Sequence, residues 1–260
     1  MLLEGKTVII SGVGPGMGQS MAKIAAREGA KVGLGARNKN YLDGVVKDIE
    51  AAGGNAVAVA TDITKSDNCE TLAKTVFDRF GSVDGLVNSA YLHGSWATTD
   101  KADPAEWAEI YDVNCTGALR MSQAVIPYMK EGGGGAIVNV STLATVNPFP
   151  GEAAYAASKG ALGALTKHMA KDLGGFNIRV NACRMGWIGG APVYGYIDAQ
   201  VAAGADRDAV IEEITGRIPL GIIPPEEDCA KSVLYFVSDY AKVVTGATLD
   251  VNGGQYMAPG

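Results

Sequence analysis

Two side chains four residues apart, Tyr155 and Lys159, have the types and spacing for a shared proton-transfer task. In a helix that spacing puts both on one face. A free phenol has a pKa of roughly 10 and is a poor base at neutral pH, and a nearby ammonium favours the phenolate. The pair therefore reads as a general acid/base working on an oxygen, tuned by its lysine. Upstream, Ser141 ends a β-branched run and could hydrogen-bond an oxygen on which charge develops. Taken alone, Tyr-x-x-x-Lys also describes a surface helix with a snorkelling lysine. The surroundings must decide.

The decisive surrounding is near the N-terminus. An apolar run, Thr7 to Ile10, leads into Ser11-Gly12-Val13-Gly14-Pro15-Gly16-Met17-Gly18, and a helical pattern follows at once. Glycines between strand and helix let the turn close tightly and let backbone N–H groups reach a diphosphate at the helix N-terminus. Hydride transfer from a dinucleotide would supply what the acid/base pair lacks.

The rest of the chain must position these pieces. Strand-like runs are expected at Thr7–Ile10, Lys31–Ala36, Ala56–Ala60, Leu86–Asn88, Ala136–Ser141, Ile178–Ala182 and Ala247–Val251. Helical periodicity fills the intervals: to about Glu28, Tyr41–Ala51, Asp67–Phe80, Pro104 to Lys130, Glu152–Leu173, Ala205–Thr215 and Glu226–Ser238. Such alternation predicts an α/β fold, a doubly wound Rossmann-type parallel sheet with helices on both faces. No linker divides it, so one domain over 1–260 is expected. Met185 to Gly204 reads as irregular and, with the residues up to about 216, as a substrate loop.

Composition narrows the function classes. A net charge of −6 with no run of Lys and Arg speaks against a nucleic-acid partner. No apolar run approaches a membrane span, and no signal-peptide pattern opens the chain. Cys69, Cys115, Cys183 and Cys229 lie far apart and read as reduced thiols of a cytoplasmic protein. With two histidines in the chain, no metal site is expected.

The spacing Gly12, Gly16, Gly18 resembles the G-x-x-x-G-x-G turn of the short-chain dehydrogenases/reductases, and the resemblance runs along nearly the whole chain. Asp62 matches the family's aspartate near the adenine. Asn88-Ser89-Ala90-Tyr91 partly matches its N-N-A-G segment. Asn114, Ser141 and Tyr155-x-x-x-Lys159 match its catalytic set, and Val244-Thr245-Gly246 with Asn252-Gly253-Gly254 matches its closing strand and turn. The resemblance implies that Lys159 also binds the nicotinamide ribose, that Asn114 holds a water linking the lysine to solvent, and that the chain forms a homotetramer through the helices carrying Asn114 and Tyr155. It departs from the family at Tyr91, at Met185 in place of proline, and at Gly190 in place of a threonine.

By this reading the cofactor would meet Gly12, Gly14, Gly16, Met17, Gly18, Arg37, Asn38, Asp62, Ile63, Asn88, Ala90, Tyr155, Lys159, Gly186 and Ile188. The second strand ends Gly35-Ala36-Arg37-Asn38, with no acid to hold a ribose 2′-OH and a guanidinium suited to a 2′-phosphate. NADP(H) is therefore favoured, with NAD(H) open. Tyr91, His93, Trp96, Trp187 and Tyr194 would form an apolar substrate pocket. The expected activity is interconversion of a carbonyl and a secondary alcohol on a bulky or cyclic substrate. The alternatives are a 3-oxoacyl carrier-protein reductase and a catalytically silent NADP-sensing protein.

Overall fold

A computed structural model describes residues 1–258 of the 260-residue chain. Its strands are β1 (Thr7–Ser11), β2 (Lys31–Ala36), β3 (Asn55–Ala60), β4 (Gly85–Asn88), β5 (Gly135–Thr142), β6 (Ile178–Met185) and β7 (Thr248–Val251). They form one seven-stranded sheet in the order β3-β2-β1-β4-β5-β6-β7, parallel throughout. The chain builds outward from β1 to β3, then returns to lay β4 beside β1 and builds the other way. That reversal opens a crevice beyond the carboxyl ends of β1 and β4, where ligands bind in sheets of this kind.

The strands alternate their apolar side chains between two cores. Val8, Ile10, Val32, Leu34, Val87 and Val138 pack against α1 (Met17–Arg27), α2 (Lys39–Ala51) and α9 (Glu226–Val237). Ile9, Leu86, Ile137 and Val180 face the opposite way, onto α3 (Ser66–Phe80), α5 (Ala118–Glu131) and α6 (Ala153–Leu173). Gly33 and Gly35 make β2 read weakly as a strand, and the structure shows their use. A Cβ on Gly33 would come within 2.3 Å of Val76 Cγ2, and one on Gly35 within 2.5 Å of Leu72 Cδ2. Both glycines let α3 lie close on the sheet.

Two elements differ from expectation. The helix predicted from Pro104 to Lys130 is interrupted: α4 (Pro104–Tyr111) passes into a π-helical stretch at Asp112–Gly117 before α5 begins. Widened turns of this kind recur at functional sites, and this one holds Asn114. The irregular segment predicted over Met185 to Gly204 contains a helix, α7 (Ala191–Ala202). Its many Gly and Ala residues mask the pattern, but Val193, Ile197 and Val201 recur every fourth residue. Ile197 is buried with Val210 and Ile214 of α8 (Arg207–Thr215) and with Ile218, a third, small core beside the crevice. No helix of the described residues is long and apolar enough to cross a membrane.

Two glycines give a paired test of this packing. Gly33→Ala should destabilise the protein by about 1–3 kcal/mol, because the new methyl overlaps Val76. Gly44→Ala sits in the interior of α2 with nothing within 4 Å of the new Cβ, and should stabilise by about 0.5–1 kcal/mol. Urea unfolding midpoints of the two variants decide; equal shifts would contradict the packing.

Candidate active site

The crevice is a cleft of about 1130 Å³ lined from one end to the other by the glycine turn, the ends of β4 and β5, the start of α6 and the segment after β6. That exceeds the roughly 300–1,000 Å³ of common single-ligand pockets, as fits a cofactor with a substrate beside it.

At one end, Gly12 adopts φ 101° and packs so closely on the next strand that a Cβ would stand 2.2 Å from Ala90 N. A Cβ on Gly18 would stand 2.4 Å from Gly12 O. The turn is thus a cradle that side chains would fill. Gly16 precedes α1 at φ 106°, and no side chain caps that helix. Its first turn offers backbone donors and a positive dipole end to an anion. Met17, Gly14, Ile63, Ala90, Gly186 and Ile188 line the same cleft. The residues fit a dinucleotide.

Beyond the turn, Arg37 and Asp62 line the cleft together, and with them Lys65, which sequence reasoning missed. Hydrogen bonds from the Thr64 backbone and hydroxyl hold Asp62 below the usual carboxylate range, helped by Lys65 and Arg37. Lys65 follows a strand end in Thr-Asp-Ile-Thr-Lys with no pattern of its own to mark it.

At the other end, Tyr155 and Lys159 lie on the first turns of α6 as the spacing demands. Lys159 is 2% exposed, and its Nζ donates a 2.8 Å hydrogen bond to the Val140 carbonyl of β5. Burial pushes the ammonium down to about 8. It sits 6.0 Å from the centre of the Tyr155 ring. The phenol is raised above its ordinary value, first by burial and then by Tyr91, while a side-chain hydrogen bond with Thr142 opposes the rise. Burial is the largest influence on the phenol, and the net shift is upward.

Thr142 lines the cleft with Tyr155 and is the hydroxyl that acts on the phenol's value. Ser141, the residue expected from the sequence, lines the cleft beside it. Thr142 is the last residue of β5, and its hydroxyl also accepts from Ala144 N at 3.3 Å.

Four sequence-predicted residues lie away from the cleft wall: three asparagines, and Tyr194. Asn38 caps α2, accepting from Tyr41 N. Asn88 is buried under the sheet's end, where its Nδ2 donates to Asn139 Oδ1 at 2.9 Å and to Ser122 Oγ at 3.2 Å. Asn114 has its amide fully engaged: Oδ1 accepts from Leu92 N at 2.7 Å, and Nδ2 donates to Leu92 O at 2.8 Å and Ser158 Oγ at 2.9 Å. It fastens the loop after β4 to α6.

That loop forms one wall. His93 stacks on Tyr155 at 4.8 Å and on Trp96 at 3.9 Å between ring centres, and its Nε2 lies 3.4 Å from Glu152 Oε1. It is a packed residue of the site, not a solvated loop histidine. Tyr91 and Trp96 line the cleft beside it. Across from them, Trp187 lines the cleft, with Tyr196 at 5.5 Å between ring centres. Tyr194 does not line it: residues two apart on a helix point about 200° apart, so once this segment is helical only one of the two tyrosines can face inward. The described residues hold no cluster of His, Cys, Asp or Glu able to bind a metal.

Set beside known proteins, residues 12–255 match the family model described as enoyl-(acyl carrier protein) reductase. The 3-oxoacyl-[acyl-carrier-protein] reductase of Thermotoga maritima is 34% identical over 254 residues, 98% of this chain and 99% of that one. The 3beta-hydroxysteroid dehydrogenase 1 of Eggerthella lenta is 35% identical over 260 residues, 99% of this chain and 96% of that one. The solved structure of a short-chain type dehydrogenase/reductase from Mycobacterium ulcerans superposes with a TM-score of 0.89 at 29% identity, covering 98% of this chain and 91% of that one. The chain belongs to the short-chain dehydrogenase/reductase family. It is an oxidoreductase, and the family implies a nicotinamide cofactor.

The buried lysine makes a pH-dependent prediction. Between about 8 and the ordinary lysine value near 10.4, the unfolded chain holds a proton at Lys159 that the folded protein has lost, so stability rises with pH across that window. Below it the buried charge costs stability. Lys159→Met should therefore raise unfolding free energy at pH 7 by on the order of 2 kcal/mol, with the gain fading by about pH 10 while activity is lost. Denaturation of both proteins at the two pH values measures this; a constant difference would contradict the burial.

Proposed function

We propose that this oxidoreductase interconverts a carbonyl and a secondary alcohol with NADP(H), acting on an apolar, bulky or cyclic substrate. The observation that carries the reading is a single cleft with the glycine cradle at one end and Tyr155, Thr142 and Lys159 at the other. Bound cofactor would supply or accept the hydride. The chain's own residues do the rest. Tyr155, its value raised, keeps its proton at neutral pH, the state needed to protonate a forming alkoxide. Thr142, with Ser141 beside it, gives the substrate oxygen a hydroxyl donor as charge grows there. The Lys159 ammonium, still mostly protonated near pH 7, offsets the charge left on the phenolate. Asn114 holds the substrate wall against α6 rather than touching the reacting atoms.

For cofactor choice, Arg37 and Lys65 both line the cleft and both act on Asp62, which supports a 2′-phosphate, and no acid stands at the end of β2. NAD(H) is the alternative. For the substrate, Tyr91, Trp96, Phe149, Trp187 and Tyr196 give aromatic walls, with His93 among them. The hydroxysteroid dehydrogenase among the relatives fits a cyclic ligand. The second reading, a 3-oxoacyl carrier-protein reductase, has the Thermotoga maritima relative in its favour. Against it, the cations lining the cleft among the described residues are Arg37, Lys65 and Lys159; the first two flank Asp62 and the third is buried. An acidic carrier would find Glu152 at this wall instead of a basic rim. A silent NADP sensor would not need the Tyr155–Thr142–Lys159 arrangement. We place the chain in the cytoplasm as one domain over 1–260, assembled as a homotetramer through α5 and α6. The exposed small residues Ala157, Gly160 and Ala164 on α6 would permit close helix packing there.

Screening cyclic and aromatic ketones and alcohols by nicotinamide absorbance, with an acyl carrier substrate alongside, tests the activity. Tyr155→Phe should lower turnover at least about 10²-fold with cofactor affinity kept. Near-normal turnover in that variant would overturn the mechanism, and faster reduction of the carrier-bound substrate would select the second reading.

The cofactor assignment has its own test. Arg37→Ala should weaken NADPH by roughly 10- to 100-fold, the scale of a charge-assisted hydrogen bond, and barely change NADH. Dissociation constants that move equally for both would remove the preference.

A further inference from the structure

The diphosphate end of the cleft carries a negative charge where the fold otherwise gathers positive character. Glu226 opens α9, and its half-buried side chain lines the cleft. Its Oε1 accepts a 2.7 Å hydrogen bond from Ser20 Oγ on α1. Its Oε2 lies 3.4 Å from the point where a Cβ would stand on Gly16, the residue that begins α1. The same oxygen lies 3.1 Å from the corresponding point on Gly190, just before α7. A side chain at Gly190 would crowd it; the bare glycine lets the carboxylate in.

No cation answers this charge: among the described residues Glu226 takes part in no ion pair. Lys23, one turn further along α1, is taken by Asp48 of α2 at 2.8 Å. The influence of Glu226 is felt as far as Tyr41, whose phenol is raised mainly by burial and in part by this carboxylate. The Glu226 carboxylate thus lies beside the positive end of α1 that an anion would use.

We propose that Glu226 is an electrostatic brake on dinucleotide binding: it competes with the cofactor diphosphate for the N-terminus of α1 and holds affinity below what the glycine turn alone would give. This rests on the reading of that turn as the diphosphate site. Two like charges a few ångströms apart in a partly dry cleft repel by enough to change affinity about tenfold. The brake acts on the phosphates and so does not distinguish NADPH from NADH, unlike Arg37.

Glu226→Gln keeps the shape and the acceptor for Ser20 but removes the charge. Wild type and variant should be titrated with NADPH and NADH by nicotinamide fluorescence, and with ADP-ribose and adenosine by calorimetry. The variant is expected to bind NADPH, NADH and ADP-ribose about tenfold more tightly, with adenosine unchanged and the difference shrinking at high salt. Unchanged or weaker binding of the three diphosphates overturns the proposal, as does an equal gain for adenosine, which would mark a structural effect. If wild type and variant alike bind no dinucleotide, the nicotinamide reading itself fails and the brake with it; equal, measurable affinities overturn the brake alone. Should the Gln variant not fold, Glu226→Asp, which withdraws the charge by one methylene, must tighten the diphosphates by a smaller factor, and no change would overturn the proposal.

Discussion

The hydrogen bond from Lys159 to the Val140 carbonyl joins the sheet to the helix that carries Tyr155. An ammonium stripped of water needs a fixed acceptor, and a strand carbonyl near its sheet's carboxyl edge is one that cannot drift. Because α6 lies across β5, this bond sets how far along the helix each turn falls against the strand end. Tyr155 is then delivered one turn earlier, level with Thr142. The cost of burying the charge is carried by a sheet with two packed faces, and the site draws its precision from the stability of that sheet.

The loop after β4 has to be held by other means, since it leaves the sheet without regular structure. Asn114 does this with both ends of its amide on Leu92. It can face that loop because the helix widens at Asp112–Gly117. The stack of Trp96, His93 and Tyr155 follows from this clamp. Trp96 accepts a left-handed backbone, φ 60°, to complete it, a strain that a well-anchored neighbourhood sustains.

The parts of this plan that the sequence discloses are those governed by local rules. β-branched runs, glycines between strand and helix, and a Tyr–Lys pair one turn apart each follow from neighbours in the chain. The sheet, the cradle and the acid/base pair were legible for that reason. What was hidden depends on partners far away in sequence. The α7 helix is held by α8 and by Ile218, so its Gly- and Ala-rich stretch reads as loop and gives no sign that Tyr196, not Tyr194, lines the cleft. Thr142 and Ser141 differ by one step of a pleat. Asn88 and Asn114 match a motif, but their roles as buried ties show only once the groups they bind are in place. Lys65 and Glu226 enter the cleft from loops and helix starts that no pattern singles out.

The small core of Ile197, Val210, Ile214 and Ile218 shares none of its buried residues with the two cores that hold the sheet. Trp187 packs on it and Tyr196 stands beside Trp187, so this part of the cleft wall hangs on its own support. Substitutions there need not disturb the register of β5 against α6. The architecture thereby separates two kinds of change. A lineage can reshape this wall of the cleft by repacking a four-residue cluster, while the setting of Tyr155 and Lys159 is inherited intact.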